Sequence, residues 1–172
     1  MILLGIETSC DETAAAVVRD GHQVLANVIA SQVAKHAPYG GVVPELAARE
    51  HLQAIDPIVR QAVEQAAITI DAVDAVAVTA TPGLLPALLV GVAYAKGLAA
   101  SLERPLIAVD HLQGHVFGAL IDLPEHMRNP ATYPLLALIV SGGHTLLVLV
   151  ADDGACRTIG QTLDDAAGEA FD

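Results

Sequence analysis

The sequence is poor in aromatic residues, in cationic residues and in cysteine. Phenylalanine, tyrosine and tryptophan make up 3% of its 172 residues, so we expect an aliphatic core. The eight lysines and arginines are scattered, and the formal net charge is -12. Strong nucleic-acid binding by this chain alone is therefore disfavoured, because phosphates are neutralised by clustered cations. Cys10 and Cys156 show no paired spacing, which is typical of a reducing compartment.

Long apolar runs are also lacking. The best candidate, residues 84–95, contains Pro86 and ends at Lys96, which is short for a bilayer span. The N-terminus has no basic lead-in of the kind found in signal peptides, and it soon reaches Glu7 and Asp11. We therefore expect a cytoplasmic protein with no membrane partner.

The sequence does contain the pattern of an α/β domain. Residues 1–30 indicate three strands in an antiparallel meander, with Asp20-Gly21 at a hairpin turn. Helical spacing predicts helices over 44–67 and 84–102, and Pro57 is expected to kink or split the first. The segments "VDAVAVTA", "PLIAVD" and "YPLLALIV" are predicted strands, and the second leads into a helix with two histidines. Strands followed by alternating helices and strands are typical of this fold class.

The chain also matches itself at a shift of 132 positions, without gaps. The polar matches are Ser9 with Ser141, Thr13 with Thr145 and Asp20 with Asp152. Both copies follow one plan of strand, polar turn, strand and acidic turn, although two unrelated hairpins would also match in their apolar runs. We predict a first lobe with inserted helices over 1–133 and the start of an incomplete second lobe over 134–172, so we expect a fragment.

The two polar turns of this repeat, "ETSCDET" and "VSGGHT", are candidate binding loops. Small residues let backbone N–H groups approach an anion, so a pair of such loops could hold a nucleotide phosphate chain. Either loop alone is a weak signal, and Gly142-Gly143 is more often a simple turn. Asp11 and Glu12 would repel phosphate unless a cation intervenes. They are either solvated turn carboxylates or residues that handle a metal or a proton.

His111 and His115, if helical, lie one turn apart on one face, where both imidazoles could reach one ion. The alternative is a pair of partly exposed helix histidines. A catalytic ion usually needs a third protein ligand, for which His144 is one candidate. Zinc-protease helices place glutamate directly after the first histidine; here Leu112 weakens a peptidase assignment. Surface positions are expected for the remaining histidines, His22, His36, His51 and His126.

Five segments together resemble one known family. They are "LGIETSCDETAAAVV", "YGGVVPELAAREH", "DHLQGHVFG", "LIVSGGHT" and "DDAAGEAFD". In this order they resemble the bacterial TsaD family, the tRNA threonylcarbamoyladenosine synthases once called O-sialoglycoprotein endopeptidases or glycoproteases. The resemblance runs over residues 2–172 and covers about the first half of a typical member.

The resemblance implies a duplicated actin-like (RNase H-like) α/β fold with a complete first lobe and a truncated second one. The implied reaction moves threonylcarbamoyl from threonylcarbamoyl-AMP to the exocyclic amine of the adenosine adjacent to the anticodon, in tRNAs reading codons that begin with A. The implied cofactors are one divalent ion per subunit, iron or zinc, and an adenine nucleotide, threonylcarbamoyl-AMP or ATP. The implied partners are tRNA through the complete complex, a TsaB-like paralogue and a TsaE-like ATPase.

The resemblance also assigns roles to individual residues. His111 and His115 match the family's metal ligands, and the third ligand is an aspartate of the C-terminal half. The implied contacts of the adenylate are with Asp172 and with a substrate-binding loop. That loop consists of Ile139, Val140, Ser141, Gly142 and Gly143. Asp11 and Glu12 match the acidic pair of the first loop, and as a hypothesis one of them takes the amine proton.

Two other functions remain open on the sequence alone. The first is a metalloprotease, as the older family name implies, which Leu112 disfavours. The second is a non-catalytic lobe that binds nucleotide or forms a heterodimer. We expect this chain to be inactive by itself, and the apolar surface expected at the truncation favours either a homodimer of the fragment or its aggregation.

Overall fold

The computed structural model describes residues 1–121 and 132–171. The chain divides into two compact units, Met1–His111 and Leu112–Asp172. Each unit has its own sheet and its own apolar core. Asp172, predicted to contact the adenylate, and His126 lie outside the described residues.

The first unit is built on a mixed five-stranded sheet in the order β3-β2-β1-β4-β5. Its strands are β1 Ile2–Glu7, β2 Glu12–Arg19, β3 Gln23–Ser31, β4 Ala75–Thr81 and β5 Leu106–Asp110. The first three form an antiparallel meander, while β4 pairs in parallel with both β1 and β5. The predicted meander and the two predicted strands after it are thereby confirmed.

Helices of the first unit are α1 Val33–His36, α2 Pro44–Gln65 and α3 Leu85–Leu102, with short 3-10 turns at Ala37–Tyr39 and Ile70–Ala72. Packing of α2 and α3 on the sheet buries an aliphatic core that includes Leu4, Val17 and Val76. α2 runs unbroken through Pro57, so Pro57 does not split it, and the alternative of a kink at Pro57 stays a prediction. Pro57 and Gln53, the residue four positions before it, are both exposed, while Ile55, Ile58 and Val59 keep the opposite side of α2 buried.

The α3 helix has the length and composition of a membrane span, with a mean hydropathy of 1.6. It continues beyond Lys96, where the apolar run was expected to end. A core helix can have the same composition, and α3 buries Ala87, Gly91 and Ala95 within the unit. Length and composition are therefore weak grounds for a membrane role.

The second unit contains an antiparallel three-stranded sheet in the order β6-β7-β8. Its strands are β6 Leu135–Val140, β7 Thr145–Val150 and β8 Cys156–Gln161, and its helices are α4 His111–Ile121, whose first residue closes the first unit, and α5 Ala167–Phe171. Val116 of α4 packs with Ile139, Val148 and Val150 of the sheet. The predicted histidine helix is confirmed as a helix.

The two meanders share one strand register, as the internal repeat predicts. Leu4 pairs with Val17 in the first unit, and the positions 132 residues later, Leu136 and Leu149, pair in the second. The same holds for Ala14 with Ile29 and for Leu146 with Gln161. Each meander also has a register shift between its second and third strands. Repetition of the meander is therefore a property of the fold as well as of the sequence.

Candidate functional site

Three parallel strands of the first unit end in polar residues at one edge of the sheet. β1 ends at Glu7, β4 carries Thr79 close to its end, and β5 ends at Asp110, directly before His111. The carboxyl ends of neighbouring parallel strands meet at one edge, where α/β proteins commonly bind ligands. This edge is the first part of the candidate site.

Glu7 is the hydrogen-bond acceptor at the centre of this edge. Its Oε2 accepts from Thr79 Oγ1 at 2.6 Å and from His111 Nδ1 at 3.1 Å, and its Oε1 accepts from the backbone N–H of Ser9. Burial alone would raise the pKa of Glu7, but the hydrogen bonds from His111, Ser9 and Thr79 outweigh it and lower the pKa to about 2. The hydrogen bond to Glu7 likewise raises the pKa of His111. Glu7 is thus an ionised partner that orients the His111 ring.

Glu7 is a site residue that was not predicted from the sequence. A usable signal was present, because Glu7 ends an apolar run just as Asp110 and Thr81 end two others. These polar residues indicate a common site only if their strands are neighbours. The structure shows that β1 and β4 pair in parallel, with Leu3 opposite Ala75. The spacing of residues along the chain does not show that pairing.

The loop after β1 is held tightly under the start of α3. Thr8 Oγ1 donates to the carbonyl of Ala87 at 2.9 Å, and the backbone N–H of Leu84 donates to the carbonyl of Ser9 at 2.8 Å. Gly91 is required for this approach, because a Cβ there would lie 2.3 Å from Thr8 Oγ1. The conformation of this loop is therefore set by packing against α3.

Asp11 and Glu12 stand next to each other at the start of β2. The carbonyl of Asp11 accepts from the backbone N–H of Gln32 at 2.9 Å, and Ser31 Oγ lies 3.5 Å from Glu12 Oε1. Burial and the neighbouring charge of Asp11 raise the pKa of Glu12. A carboxylate with a raised pKa is a stronger base, which is compatible with the proton-handling alternative.

His36 and His51 are buried, so the surface positions expected for them are wrong. They are 3% and 0% exposed and share a polar cluster with Thr13 and Gln32. A signal for His51 was available, since it lies four residues after Ala47 and four before Ile55 on the buried face of α2. The third histidine expected at the surface, His22, is exposed.

In the second unit, the predicted substrate loop forms the turn between β6 and β7. The backbone N–H of His144 donates to Ser141 Oγ at 3.1 Å, and the N–H of Ser141 donates to the His144 carbonyl at 2.8 Å. The start of α5 lies against this turn: Gly168 N donates to the Ser141 carbonyl at 3.2 Å. Of the other residues predicted to contact substrate, Ile139 is buried, whereas Val140, Gly142 and Gly143 are exposed.

His115 lies one helical turn after His111 on α4 and lines a cleft of about 460 Å³. Within the second unit this cleft runs between α4 and β6, and most of its lining is apolar, with Ser141 at one end. Over residues 1–121 and 132–171, no three histidine, cysteine, aspartate or glutamate side chains converge on one point. Metal binding by His111 and His115 therefore stays a prediction.

The fold belongs to the actin-like (RNase H-like) α/β class. YeaZ from Pseudomonas aeruginosa superposes with a TM-score of 0.58, covering 94% of this chain and 65% of that one, at 21% identity. At that identity the likeness concerns the fold alone. It confirms the fold class that the sequence resemblance implied.

A sequence model of the TsaD family, tRNA N6-adenosine threonylcarbamoyltransferase, matches residues 23–172. Two similar relatives carry that same name. One, from Thermomicrobium roseum, is 59% identical over all of this chain and 47% of its own length; the other, from Koribacter versatilis, is 55% identical over 99% of this chain and 46% of its own. The chain therefore belongs to the TsaD family, and it spans about half the length of the curated relatives it matches.

Proposed function

We propose that this chain forms the nucleotide-holding and metal-holding half of a tRNA N6-adenosine threonylcarbamoyltransferase. The reaction transfers threonylcarbamoyl from threonylcarbamoyl-AMP to the exocyclic amine of the adenosine beside the anticodon, in tRNAs reading codons that begin with A. The observation that carries the proposal is the 59% identity, over the whole chain, with a relative of that name. The lobes are proposed to divide at 133/134, where the repeat begins again.

The proposed metal ligands are His111 and His115, completed by an aspartate of the C-terminal half. The structure suits this role, because metal-ligating histidines commonly donate their other ring N–H to a carboxylate, as His111 Nδ1 does to Glu7. A bound iron or zinc ion would supply Lewis-acid polarisation of the threonylcarbamoyl carbonyl. Glu7, which also accepts a hydrogen bond from Thr79, holds the His111 ring, so the chain's own contribution here is orientation.

The turn between β6 and β7 is proposed to hold the adenylate. Gly142 and Gly143, which follow Ser141 in this turn, are exposed, and their backbone N–H groups could donate to phosphate oxygens as AMP leaves. Ile139 and Val140 precede them on β6, and Asp172 is proposed to contact the nucleotide. Because the acyl group arrives already activated, these residues mainly position it.

Asp11 and Glu12 are proposed as the catalytic acidic pair. The attacking amine must lose a proton as it forms the new bond, and a carboxylate within hydrogen-bond reach can accept it. Glu12 is the better candidate, because burial and Asp11 raise its pKa.

The acidic balance of the chain indicates that tRNA binds through the complete complex. At a net charge of -12 this half would repel the phosphate backbone of tRNA. The proposed protein partners are a TsaB-like paralogue and a TsaE-like ATPase, with a homodimer of this chain as a further possibility. α2 and α3 pack together and leave Leu52, Leu85 and Leu89 exposed, which supports their use as a docking face. The proposed location is the cytoplasm.

The proposal can be tested with a chimera that joins this chain to the remaining C-terminal part of the Thermomicrobium roseum relative. The chimera is incubated with threonylcarbamoyl-AMP and a tRNA reading codons that begin with A, and modified adenosine is measured by nucleoside mass spectrometry. We expect transfer by the chimera and none by the 172-residue chain alone. Glu12→Gln should lower kcat by about 10²- to 10⁴-fold, whereas Glu45→Gln, at an exposed position of α2, should not.

Two outcomes would contradict the proposal. Metal-dependent cleavage of a peptide substrate without transfer would support the metalloprotease alternative. Adenylate binding without turnover by the chimera, under conditions where the intact relative is active, would support a non-catalytic lobe.

A further inference from the structure

His51 contacts both sides of the acidic pair from a fully buried position on α2. Its Nε2 lies 2.9 Å from the carbonyl oxygen of Cys10, and its Nδ1 lies 2.8 Å from Thr13 Oγ1. Cys10 and Thr13 directly flank Asp11 and Glu12 in the chain. One side chain therefore bridges the two ends of the acidic dipeptide.

The partners of His51 determine which ring nitrogen carries the proton. A carbonyl oxygen can only accept, so Nε2 must donate to Cys10. Nδ1 is then the acceptor, and it lies within reach of the Thr13 hydroxyl and of Gln32 Nε2, the latter at 3.3 Å. The contacts thus define the neutral Nε2–H form of His51.

The hydrogen bonds continue beyond His51 in one consistent direction. Val43 N donates to His36 Nδ1 at 3.3 Å, and His36 Nε2 then donates to Gln32 Oε1 at 3.0 Å. Gln32 Nε2 can donate in turn to His51, which donates to Cys10. This series of hydrogen bonds therefore connects Val43, the residue before α2, to the loop that carries Asp11 and Glu12. In each bond a donor faces an acceptor.

The end of β3 holds the opposite side of the same loop. The backbone N–H of Gln32 donates to the Asp11 carbonyl at 2.9 Å, while the Gln32 side chain contacts His51 and the Ala47 carbonyl. His51, Thr13, His36 and Gln32 are all between 0% and 4% exposed. Polar side chains at such positions cost free energy unless their hydrogen bonds are made, and here those bonds end on the backbone that carries Asp11 and Glu12.

We propose that His51 is a positioning residue that fixes the direction of the Asp11 and Glu12 carboxylates by clamping Cys10 and Thr13. The inference rests on the proposed function in one respect, namely that Glu12 acts on the substrate amine. His51 itself does not touch substrate. A merely structural histidine would support folding without affecting turnover by the folded protein.

Turnover by the chimera separates these two roles. His51→Gln should lower kcat by about 10²-fold and leave KM for adenylate and tRNA unchanged, because small displacements of a catalytic group can cost that much. Thr13→Val removes the hydrogen bond between Thr13 and His51 Nδ1 and should lower kcat less than His51→Gln does. The matched control is Val73→Ala, which removes buried volume just before β4, far along the chain from the acidic loop.

Combining variants shows whether His51 acts through Glu12. In the Glu12→Gln background, His51→Gln should cause no further fall in kcat, whereas Val73→Ala should have the same effect in both backgrounds. Equal falls in kcat for His51→Gln in both backgrounds, or a fall no larger than that of Val73→Ala, would overturn the proposal.

NMR of the 172-residue chain with nitrogen-labelled histidine tests the contacts of His51 with Cys10 and Thr13 independently of turnover. The expected result is the Nε2–H form of His51 with a slowly exchanging ring proton and a through-bond coupling to the Cys10 carbonyl. An Nδ1–H ring, or a ring that exchanges as fast as that of exposed His22, would refute the clamp. Wild-type turnover by Glu12→Gln would instead refute the proposed role of Glu12 as the base, and these spectra would still decide the role of His51.

Discussion

Glu7 and His111, 104 residues apart in sequence, are joined by a hydrogen bond of 3.1 Å between Oε2 and Nδ1. Their side chains are 31% and 27% exposed. The carboxylate of Glu7, at the end of β1, also accepts a hydrogen bond from Thr79 of β4. It is therefore bonded both to the neighbouring strand and to the start of α4. The orientation of the first proposed metal ligand is thus determined by a residue at the far end of the chain.

The first prediction concerns Glu7→Gln. Because the hydrogen bond that His111 donates to Glu7 is the main cause of the raised pKa of His111, the substitution should return that pKa toward its ordinary value. Proton NMR titration of the histidine resonances in the 172-residue chain measures the change directly. Glu45→Gln removes the same charge from an exposed position and should leave His111 unchanged. An unaltered His111 titration in Glu7→Gln would show that the ion pair is absent in solution.

The meander, the long helices and the histidine helix could be predicted because each depends on local patterns. Alternating apolar residues and the Asp20-Gly21 turn define the first hairpin, and Asp20 does adopt a positive φ of 54° there. The repeat could be predicted for the same reason, since it needs only comparison of the chain with itself.

The contacts of Glu7 and His51 could not be predicted in the same way. Both depend on which elements meet in space: β1 beside β4 for Glu7, and α2 against β2 for His51. His51 is a polar residue on an otherwise apolar helix face, and hydrophobicity alone favours exposure. Its burial becomes reasonable only when the Cys10 carbonyl and the Thr13 hydroxyl are seen to satisfy it.

The second prediction concerns Gly91→Ala on α3. Alanine normally stabilises a helix by about 1 kcal/mol relative to glycine. At Gly91 the added Cβ would lie 2.3 Å from Thr8 Oγ1, so Thr8 must move and lose its bond to Ala87. We expect a net loss of about 1–3 kcal/mol in the free energy of unfolding.

Gly97→Ala on the same helix is the matched control for Gly91→Ala. A Cβ at Gly97 meets no atom within 4 Å, so this variant should gain about 0.5–1 kcal/mol. Urea unfolding measures the change in the free energy of unfolding for both variants, which should be a loss for Gly91→Ala and a gain for Gly97→Ala. Stabilisation by both would show that the close approach of Thr8 to α3 does not exist.

The third prediction concerns the reactivity of Cys10. Burial, followed by the hydrogen bond and charge of Asp11, raises the pKa of the Cys10 thiol to about 12. Since the thiolate is the reactive form, alkylation of Cys10 at pH 8 should be roughly 10³-fold slower in the folded chain than in the unfolded one. Mass spectrometry of iodoacetamide-treated protein locates the label. Asp11→Asn should speed the reaction, and rapid labelling of Cys10 in the folded wild type would disprove the assignment.

The fourth prediction is a pH dependence of stability that arises from His51. Burial lowers the pKa of His51 below its ordinary value of 6.5. As pH falls below 6.5, the unfolded chain takes up a proton at this site and the folded chain does not, so the free energy of unfolding decreases toward the folded pKa. The slope from this one group approaches about 1.4 kcal/mol per pH unit.

Comparison of variants isolates the His51 contribution from that of the carboxyl groups. The wild type should lose more stability between pH 7.5 and 5.5 than His51→Gln, which has no ring to titrate. Urea unfolding at several pH values gives the difference. Parallel pH profiles for wild type and His51→Gln would mean that the ring titrates equally in both states, which is incompatible with a buried neutral histidine bonded to Cys10.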